Sequence, residues 1–492
     1  MSSDNVDSDI LARASSISHV LRTNAAPSTI DIIEIRRLLR DVDFERVTRL
    51  RDLGATGQQS GALLENLAAS CRSSLSIIRR MPSEMLCAIF SLTIPEPYDF
   101  INQPLNSMDA RQSPSVLTQV CRSWRAIALS HNELWSHIRI NLEMVALLND
   151  RMLPKLSTLE LFLKRSGAHP LYIHFGDFYP QNLTATQFLS VLMTHSHRWK
   201  EVSFFLEFSR LQMLEAIRGH LPLIYRLDVR AFGAHTYGPL RAFDDAPQLR
   251  EAFLDLGDPL ATLPLPWSQL TTVGGNFDHA SILPHTPNVV ECLIESNPSS
   301  ASSIRHPSLK KLRVKEGNVL HWLEAPGLEE LQLYSRLDMM VRDVTSFISK
   351  SGCVLQSLSL YNIIEFAHWM DLKGLWMSLS SLTELQIRFC ALDWDIFSNQ
   401  LSSTQPGASA LLPNLQHIVF VFIKRGRFYL ADSVLDLLES RRQTSPYSNG
   451  RAAQLLSAGL FNANISQQSR DRLSALQDLG LELTLGMKRT DE

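Results

Sequence analysis

His306-Pro307-Ser308-Leu309-Lys310-Lys311-Leu312-Arg313-Val314 is answered by Ala325-Pro326-Gly327-Leu328-Glu329-Glu330-Leu331-Gln332-Leu333, the anchor leucines 309 and 328 standing 19 residues apart. In L-x-x-L-x-L the first leucine turns the chain into the core, and the last two flank one outward residue on a short strand. The pattern runs in both directions. Upstream lie Leu153–Leu161, Ala246–Leu254 and Thr286–Ile294; downstream lie Leu355–Leu360, Leu382–Ile387 and Leu412–Phe420. Anchors at 249, 270, 289, 309 and 328 are spaced 21, 19, 20 and 19 residues apart, and those at 355, 382 and 415 follow at 27, 27 and 33.

This is the period of leucine-rich repeats, with short units first and longer ones later. Stacked units bury one continuous core, so the expected fold class is α/β, with an irregular solenoid of parallel strands from 141 to 492. An ordinary α/β core has no reason to recur near 20 residues. The longer units have room for helices around Val344-Phe347-Ile348 and Leu435-Leu438, and the chain closes with Leu473, Leu476 and Leu479 on a helix before an alternating strand Leu481–Leu485. Strands are predicted at 159–161, 312–314, 331–333, 358–360, 385–387 and 418–420. Their middle residues, Glu160, Arg313, Gln332, Ser359, Gln386 and Val419, are the candidate contacts for a protein substrate, since such a face presents many units to one ligand. A plain solvated role is the competing reading for each.

Upstream of the repeats, residues 1–28 are rich in Ser, Asp and Asn and are expected to be a disordered tail. Thr29 is the expected cap of the helix that follows. A helical segment spans 29–77, with Ile30, Ile33, Leu38, Val42, Val47 and Leu50 among dense charges, then Gly54–Gly57, then Leu63, Leu64, Leu67 and Ala68. A helical hairpin and one strand of a coiled coil are both open readings. The heptads are irregular and few, so self-association through 30–78 is possible but not favoured.

Pro82 suits a first helical turn, and Ser83-Glu84 put small polar and acidic groups at its positive end. Met85, Leu86, Ile89 and Phe90 then form an apolar face, and Pro95 and Pro97 stop the helix. After an insert at 95–113, one helix from about Ser115 is expected to bury Val116, Leu117, Val120, Trp124, Ile127 and Ala128. Leu134-Trp135 begins a last turn before an extended Ile138–Ile140.

The Met81–Leu86 start, Ile89-Phe90, Val120-Cys121-Arg122-Ser123-Trp124-Arg125 and Leu134-Trp135 together resemble an F-box. The whole chain is similar to the large group of F-box proteins of mushroom-forming fungi, in which a helical segment precedes a three-helix box and degenerate leucine-rich repeats follow; the box here would span 78–140. Leu159–Gly167 with Pro170-Leu171 is similar to that group's first repeat. The insert at 95–113 departs from the usual box. The resemblance implies binding to a Skp1-type adaptor and, through it, to a cullin complex. Carried onto this chain, Pro82, Leu86, Ile89, Phe90, Val120, Cys121, Trp124 and Trp135 are the candidates for that interface or its support. The alternative for each is the module's own core, because about 60 residues bury little alone and gain by keeping apolar area for a partner.

Composition is consistent with such a protein. The 492 residues are 45% hydrophobic and 20% charged with a formal charge of -3, so no basic excess asks for nucleic acid. Lys310-Lys311 and Lys424–Arg427 read as solvated edges. Cys71, Cys87, Cys121, Cys292, Cys353 and Cys390 form no CxxC pair, which fits a reduced compartment and neither a disulfide scaffold nor a structural zinc site. No apolar run is long enough to span a membrane, so a cytoplasmic or nuclear location is expected, and the sequons at Asn182 and Asn464 read as chance matches. His195 and His197 are the nearest approach to a metal pair and lack a third ligand. The aromatic run His368-Trp369, Trp376 and Trp394 reads as repeat packing, and Asp393 and Asp395 as an exposed turn. No phosphate loop, HExxH helix or serine elbow is present, so no enzyme, metal or cofactor is expected. The expected role is a substrate-recruiting subunit of a ubiquitin ligase. A non-catalytic repeat interaction protein outside ubiquitination is the alternative, and a hydrolase is the remote one.

Overall fold

Ile10, Ala14, Ile17, Val20 and Leu21 recur at helical spacing inside an otherwise polar N-terminus. In the computed structural model this stretch folds into α1 (Ser3–Ser16) and α2 (Ser18–Leu21). The structure describes residues 3–51, 58–94, 106–142, 154–177, 183–233, 238–295, 303–315, 319–334, 337–363, 369–389, 398, 401, 411–422, 430–442 and 453–486. The disordered tail expected over 1–28 is therefore corrected from Ser3 onward. Ile10, Ile17 and Val20 are buried in one cluster with Ile35, Leu38 and Val42 of α3 (Thr29–Arg51) and Leu64, Ala68 and Cys71 of α4 (Gln58–Ser74). Three buried positions outweigh the polar composition, because burying each contributes roughly 1.5–3 kcal/mol.

Ser28, and not Thr29, caps α3. The Asp31 amide donates to Ser28 Oγ at 3.2 Å and the Ser28 amide donates to Asp31 Oδ2 at 2.8 Å, a reciprocal capping box. These bonds hold the Asp31 carboxyl below its usual range. Arg79 fastens the bundle at the same end. Its Nη1 donates to the carbonyls of Val20 and Thr23 at 3.3 and 2.7 Å, while Nη2 donates to Ser73 Oγ at 2.9 Å. Gly54–Gly57 lies outside the described residues.

The chain divides into two compact units, Met1–Trp199 and Lys200–Glu492. In the first, α5 (Ser83–Ser91), α6 (Leu117–Val120) and α7 (Arg122–Ser130) are followed by a 3-10 turn at Asn132–Trp135 and β1 (His137–Asn141). Next come α8 (Leu156–Arg165), β2 (Leu171–Gly176) and α9 (Leu183–Met193), with β1 and β2 parallel and His137 stacked on Tyr172 at 4.3 Å. Two expectations are corrected here. The helix expected from Ser115 is broken at Cys121, where the backbone is extended. The strand expected at 159–161 is part of α8: Leu159, Phe162 and Leu163 are buried at helical spacing, Leu161 faces out, and Glu160 is exposed on a helix instead of a sheet. Of the insert, 95–105 lies outside the described residues. The remainder is tied down, with the Ser107 amide donating to Arg139 O at 3.1 Å and the Arg139 amide to Ser107 Oγ at 3.0 Å.

The second unit is an α/β solenoid. Its described strands are β3 (Trp199–Glu207), β4 (Arg226–Phe232), β5 (Glu251–Asp255), β6 (Thr272–Asn276), β7 (Glu291–Ile294), β8 (Ile304–Arg305), β9 (Lys311–Val314), β10 (Leu323–Glu324), β11 (Glu330–Leu333), β12 (Ser357–Ile363), β13 (Glu384–Phe389), β14 (His417–Phe422), β15 (Ser457–Phe461) and β16 (Glu482–Gly486). All but β8 and β10, which pair with each other, form one parallel ladder in chain order. The anchors explain how each strand starts. Ala246-Pro247-Gln248-Leu249, Thr286–Val289, Ala325–Leu328 and Leu412–Leu415 each close a turn in which the anchor amide donates to the residue before proline, at 3.1, 3.1, 3.1 and 3.2 Å. Proline presets the second position of such a turn. Anchors 249, 270, 289, 309, 328, 355, 382 and 415 are all buried, as are the strand leucines that follow. Helices Leu337–Ser351 and Asp432–Arg442 fill the longer units and bury Val344, Phe347, Leu435 and Leu438.

Strand β6 has no room for a side chain at Gly275. Gly275 has φ +125°, and a Cβ there would stand 1.9 Å from Leu254 O. Gly275→Ala is expected to destabilise the second unit by on the order of 3 kcal/mol or more, read from chemical denaturation. His279, fully buried, has Nδ1 2.9 Å from Phe277 O and Nε2 3.0 Å from Leu293 O. Desolvation outweighs both bonds and depresses its pKa to about 4. The unfolded chain takes up this proton near pH 6.5 while the folded chain does not. The contribution of His279 to stability should therefore fall as pH drops from about 6.5 to about 4, by on the order of 3 kcal/mol, and change no further below that. Denaturation of His279→Gln across the same range should lose that component; an unchanged slope would rule this cause out.

Candidate functional site

α5 has two apolar faces. Leu86 and Phe90, four residues apart, point inward and are buried, whereas Met85, Ile89 and Leu92, at steps of four and three, are exposed, Leu92 at 85%. Val116 and Val120 of the neighbouring turn are exposed as well, which corrects the expectation that both are buried. The opposite face is supported by rings. Phe90 packs against Trp124 at 4.8 Å, and Trp135 meets Phe162 edge-on at 4.9 Å with the Arg165 guanidinium 4.2 Å above it. Trp135 Nε1 donates to Ala128 O at 2.8 Å, so the buried indole keeps a partner.

The break at Cys121 restarts the helix. Cys121 Sγ accepts from the Trp124 amide at 3.4 Å, and Arg125 Nε donates back across the break to Thr118 O at 2.7 Å. The turn thus places Val120 outward while Trp124 remains half-buried. Among the eight residues singled out on this module, Leu86, Phe90 and Trp135 are core, Cys121 and Trp124 are intermediate, and Pro82, Ile89 and Val120 lie on the surface. Met85, read only as part of the apolar face, and Leu92 were not among the interface candidates, although their i, i+4, i+7 spacing with Ile89 was legible. A cleft of about 280 Å³ beside Trp124 is lined by Arg79, Leu86, Ser123 and Ile127.

The second surface is the open face of the parallel ladder. Arg313, Gln332, Ser359, Gln386 and Val419 are directly paired strand to strand and form one continuous row; Glu160 is not part of it, and Ser359, expected to face solvent, is buried. The charges on this face are largely matched across strands: Arg226 to Glu251 at 2.7 Å, Arg313 to Glu291 at 3.1 Å, Lys311 to Glu330 at 3.0 Å, and Lys315 to Glu295. Arg226 also lies 4.1 Å over the Phe253 ring. Asp228 is nearly enclosed beside Arg230, and burial raises its pKa. One row further along the strands, Tyr334 and Tyr361 stack at 4.3 Å and 5°, and Gln386 Nε2 donates to the Tyr361 hydroxyl at 3.1 Å. Sequence reasoning missed this outer row because it took each strand to end at the third leucine; the period-2 rule extended by one step would have found it.

His195 precedes and His197 lies within a 3-10 turn, not a strand, their rings 6.4 Å apart, and no cluster of three His, Cys, Asp or Glu suited to a metal occurs among the described residues. Trp376 is buried, while His368, Trp394, Asp393, Asp395, Asn182 and 424–427 lie outside the described residues. Among the described residues no helix is long and apolar enough to cross a membrane.

The two faces of α5 should separate by mutation. Phe90→Ala is expected to cost about 3–5 kcal/mol and abolish hydrogen-exchange protection of 83–91, whereas Met85→Asp should change stability by less than about 1 kcal/mol. Comparison with models of known protein families and with curated proteins finds none that matches this chain.

Proposed function

We propose that the chain is a substrate-recruiting subunit of a Skp1-cullin-F-box type ubiquitin ligase, with the helices around α5 as the box and degenerate leucine-rich repeats as the recognition domain. The reading rests on one observation above all: α5 presents Met85, Ile89 and Leu92 to solvent in a row while Leu86 and Phe90 fix the helix from behind. Exposed apolar groups on a rigidly supported helix are what an elongated adaptor needs for a dry contact. Val120, also exposed, opens the box-like Val120–Arg125 motif. The open repeat face supplies the second half of a bridge, rich in groups for protein recognition. In this role the chain carries no reacting group. It raises the local concentration of substrate at the transferase, and proximity does the rest.

Co-expression with a Skp1-type adaptor tests the reading. The wild-type chain is expected to co-purify with the adaptor, and Met85→Asp combined with Leu92→Asp should weaken binding by on the order of 30-fold or more while leaving the fold intact. Failure of the folded wild-type chain to bind any such adaptor would sink the proposal. Adaptor binding unaffected by the double substitution would move the interface elsewhere on the helices.

A further inference from the structure

α3 has two faces. Ile35, Leu38 and Val42 turn into the N-terminal bundle and are buried, while Ile30, Ile33, Arg37, Arg40, Phe44 and Val47 follow one another along the outer side at alternating steps of three and four residues. The four apolar members are between 47% and 75% exposed, and both arginines are exposed as well. With about 3.6 residues per turn and about 1.5 Å of rise per residue, the six lie in one stripe about 100° wide and about 25 Å long. A stripe this narrow, stepping by threes and fours, has the form of a seam between two helices.

The order along the stripe is symmetric: two apolar residues, two arginines, two apolar residues, with 30 answering 47, 33 answering 44 and 37 answering 40. A second copy laid on it would match apolar to apolar at both ends in the antiparallel sense or the parallel one. In either sense it would set arginine against arginine at the centre, which is repulsive. The arginines are weakly matched within the chain. Arg37 reaches only Glu34, at 2.9 Å in an exposed pair, and among the described residues Arg40 holds no carboxylate. The acids next to them on α3 are engaged elsewhere, Asp41 with Arg13 at 2.7 Å and Asp43 with Arg72 at 2.8 Å.

We infer that the outer side of α3 is a docking surface for one amphipathic helix of a partner protein, apolar at both ends of its seam and carrying Asp or Glu at the two central seam positions. The inference goes beyond the recruiting role and does not rest on it, since the contact proposed for the adaptor lies on α5. Removing Ile33 and Phe44 from water supplies affinity, while the central charges fix register and reject a copy of α3 itself. An anionic lipid surface fits less well. It calls for a broad apolar face with basic groups on the opposite side, whereas these arginines interrupt the apolar positions.

The test uses the full-length chain and a displayed library of helical peptides with leucine at the four outer seam positions and the two central seam positions randomised. Wild type should enrich Asp or Glu at both central positions. Arg37→Glu combined with Arg40→Glu should enrich Lys or Arg there instead, a reversal that loss of folding does not produce. Changing both acids of a selected peptide to amides should weaken binding about tenfold on wild type and less than about twofold on Arg37→Gln combined with Arg40→Gln. Ile33→Asp combined with Phe44→Asp should abolish binding and move the thermal midpoint by less than about 3 °C, because both side chains are exposed. Four results would each overturn the assignment: no acidic enrichment, the same enrichment by the charge-reversed chain, a concentration-dependent dimer of wild type that Ile33→Asp with Phe44→Asp dissolves, or co-sedimentation with vesicles of phosphatidylcholine and phosphatidylserine that the same pair removes.

Discussion

Strict register in the parallel ladder is the constraint on which the second unit depends. Strands β5, β6, β7, β11, β13 and β14 begin where a turn closes on a buried anchor, so they start in step and the next apolar residues fall on the same side. A slip of one residue would turn Leu312, Leu331 and Leu358 outward and carry Arg313, Gln332 and Ser359 into the core. The cross-strand ion pairs and the stacked tyrosines exist only because this alignment is kept from unit to unit. Gly274 and Gly275 belong to the same requirement: a Cβ on Gly274 would meet Leu293 and Phe253 at 2.8 and 3.0 Å.

The repeat core was legible in the sequence because proline, anchor and alternating leucines are all local signals. The strands at 312–314, 331–333, 358–360, 385–387 and 418–420 occur within those observed, and the helix around Phe347 lies where the longer spacing left room. Leu153–Leu161 misled for a physical reason. Leu156, Leu159 and Leu163 satisfy a helical period as well as the repeat pattern, and the longer helical match prevails. The N-terminus misled in the opposite way, since composition suggested disorder while Ile10, Ile17 and Val20 had the spacing of a packed helix.

The two candidate surfaces differ in chemistry. The exposed side of α5 is apolar, and the contact it offers would be stabilised mainly by area removed from water, with little dependence on salt. The repeat face is polar and already internally matched, so a ligand there displaces few charges and gains affinity from a small number of groups. A bridge built in this way has one broad contact and one selective contact, on separate units of the chain.

Arg79 stands four residues before α5 and grips the carbonyls of Val20 and Thr23 together with the Ser73 hydroxyl. The N-terminal bundle is thereby fastened to the root of α5 by one side chain. The other side of the helix is held within the box, Phe90 against Trp124 and the Ser91 hydroxyl donating to Glu133 at 3.0 Å, so α5 is gripped at its root by the N-terminal bundle and along its length by the helices that follow.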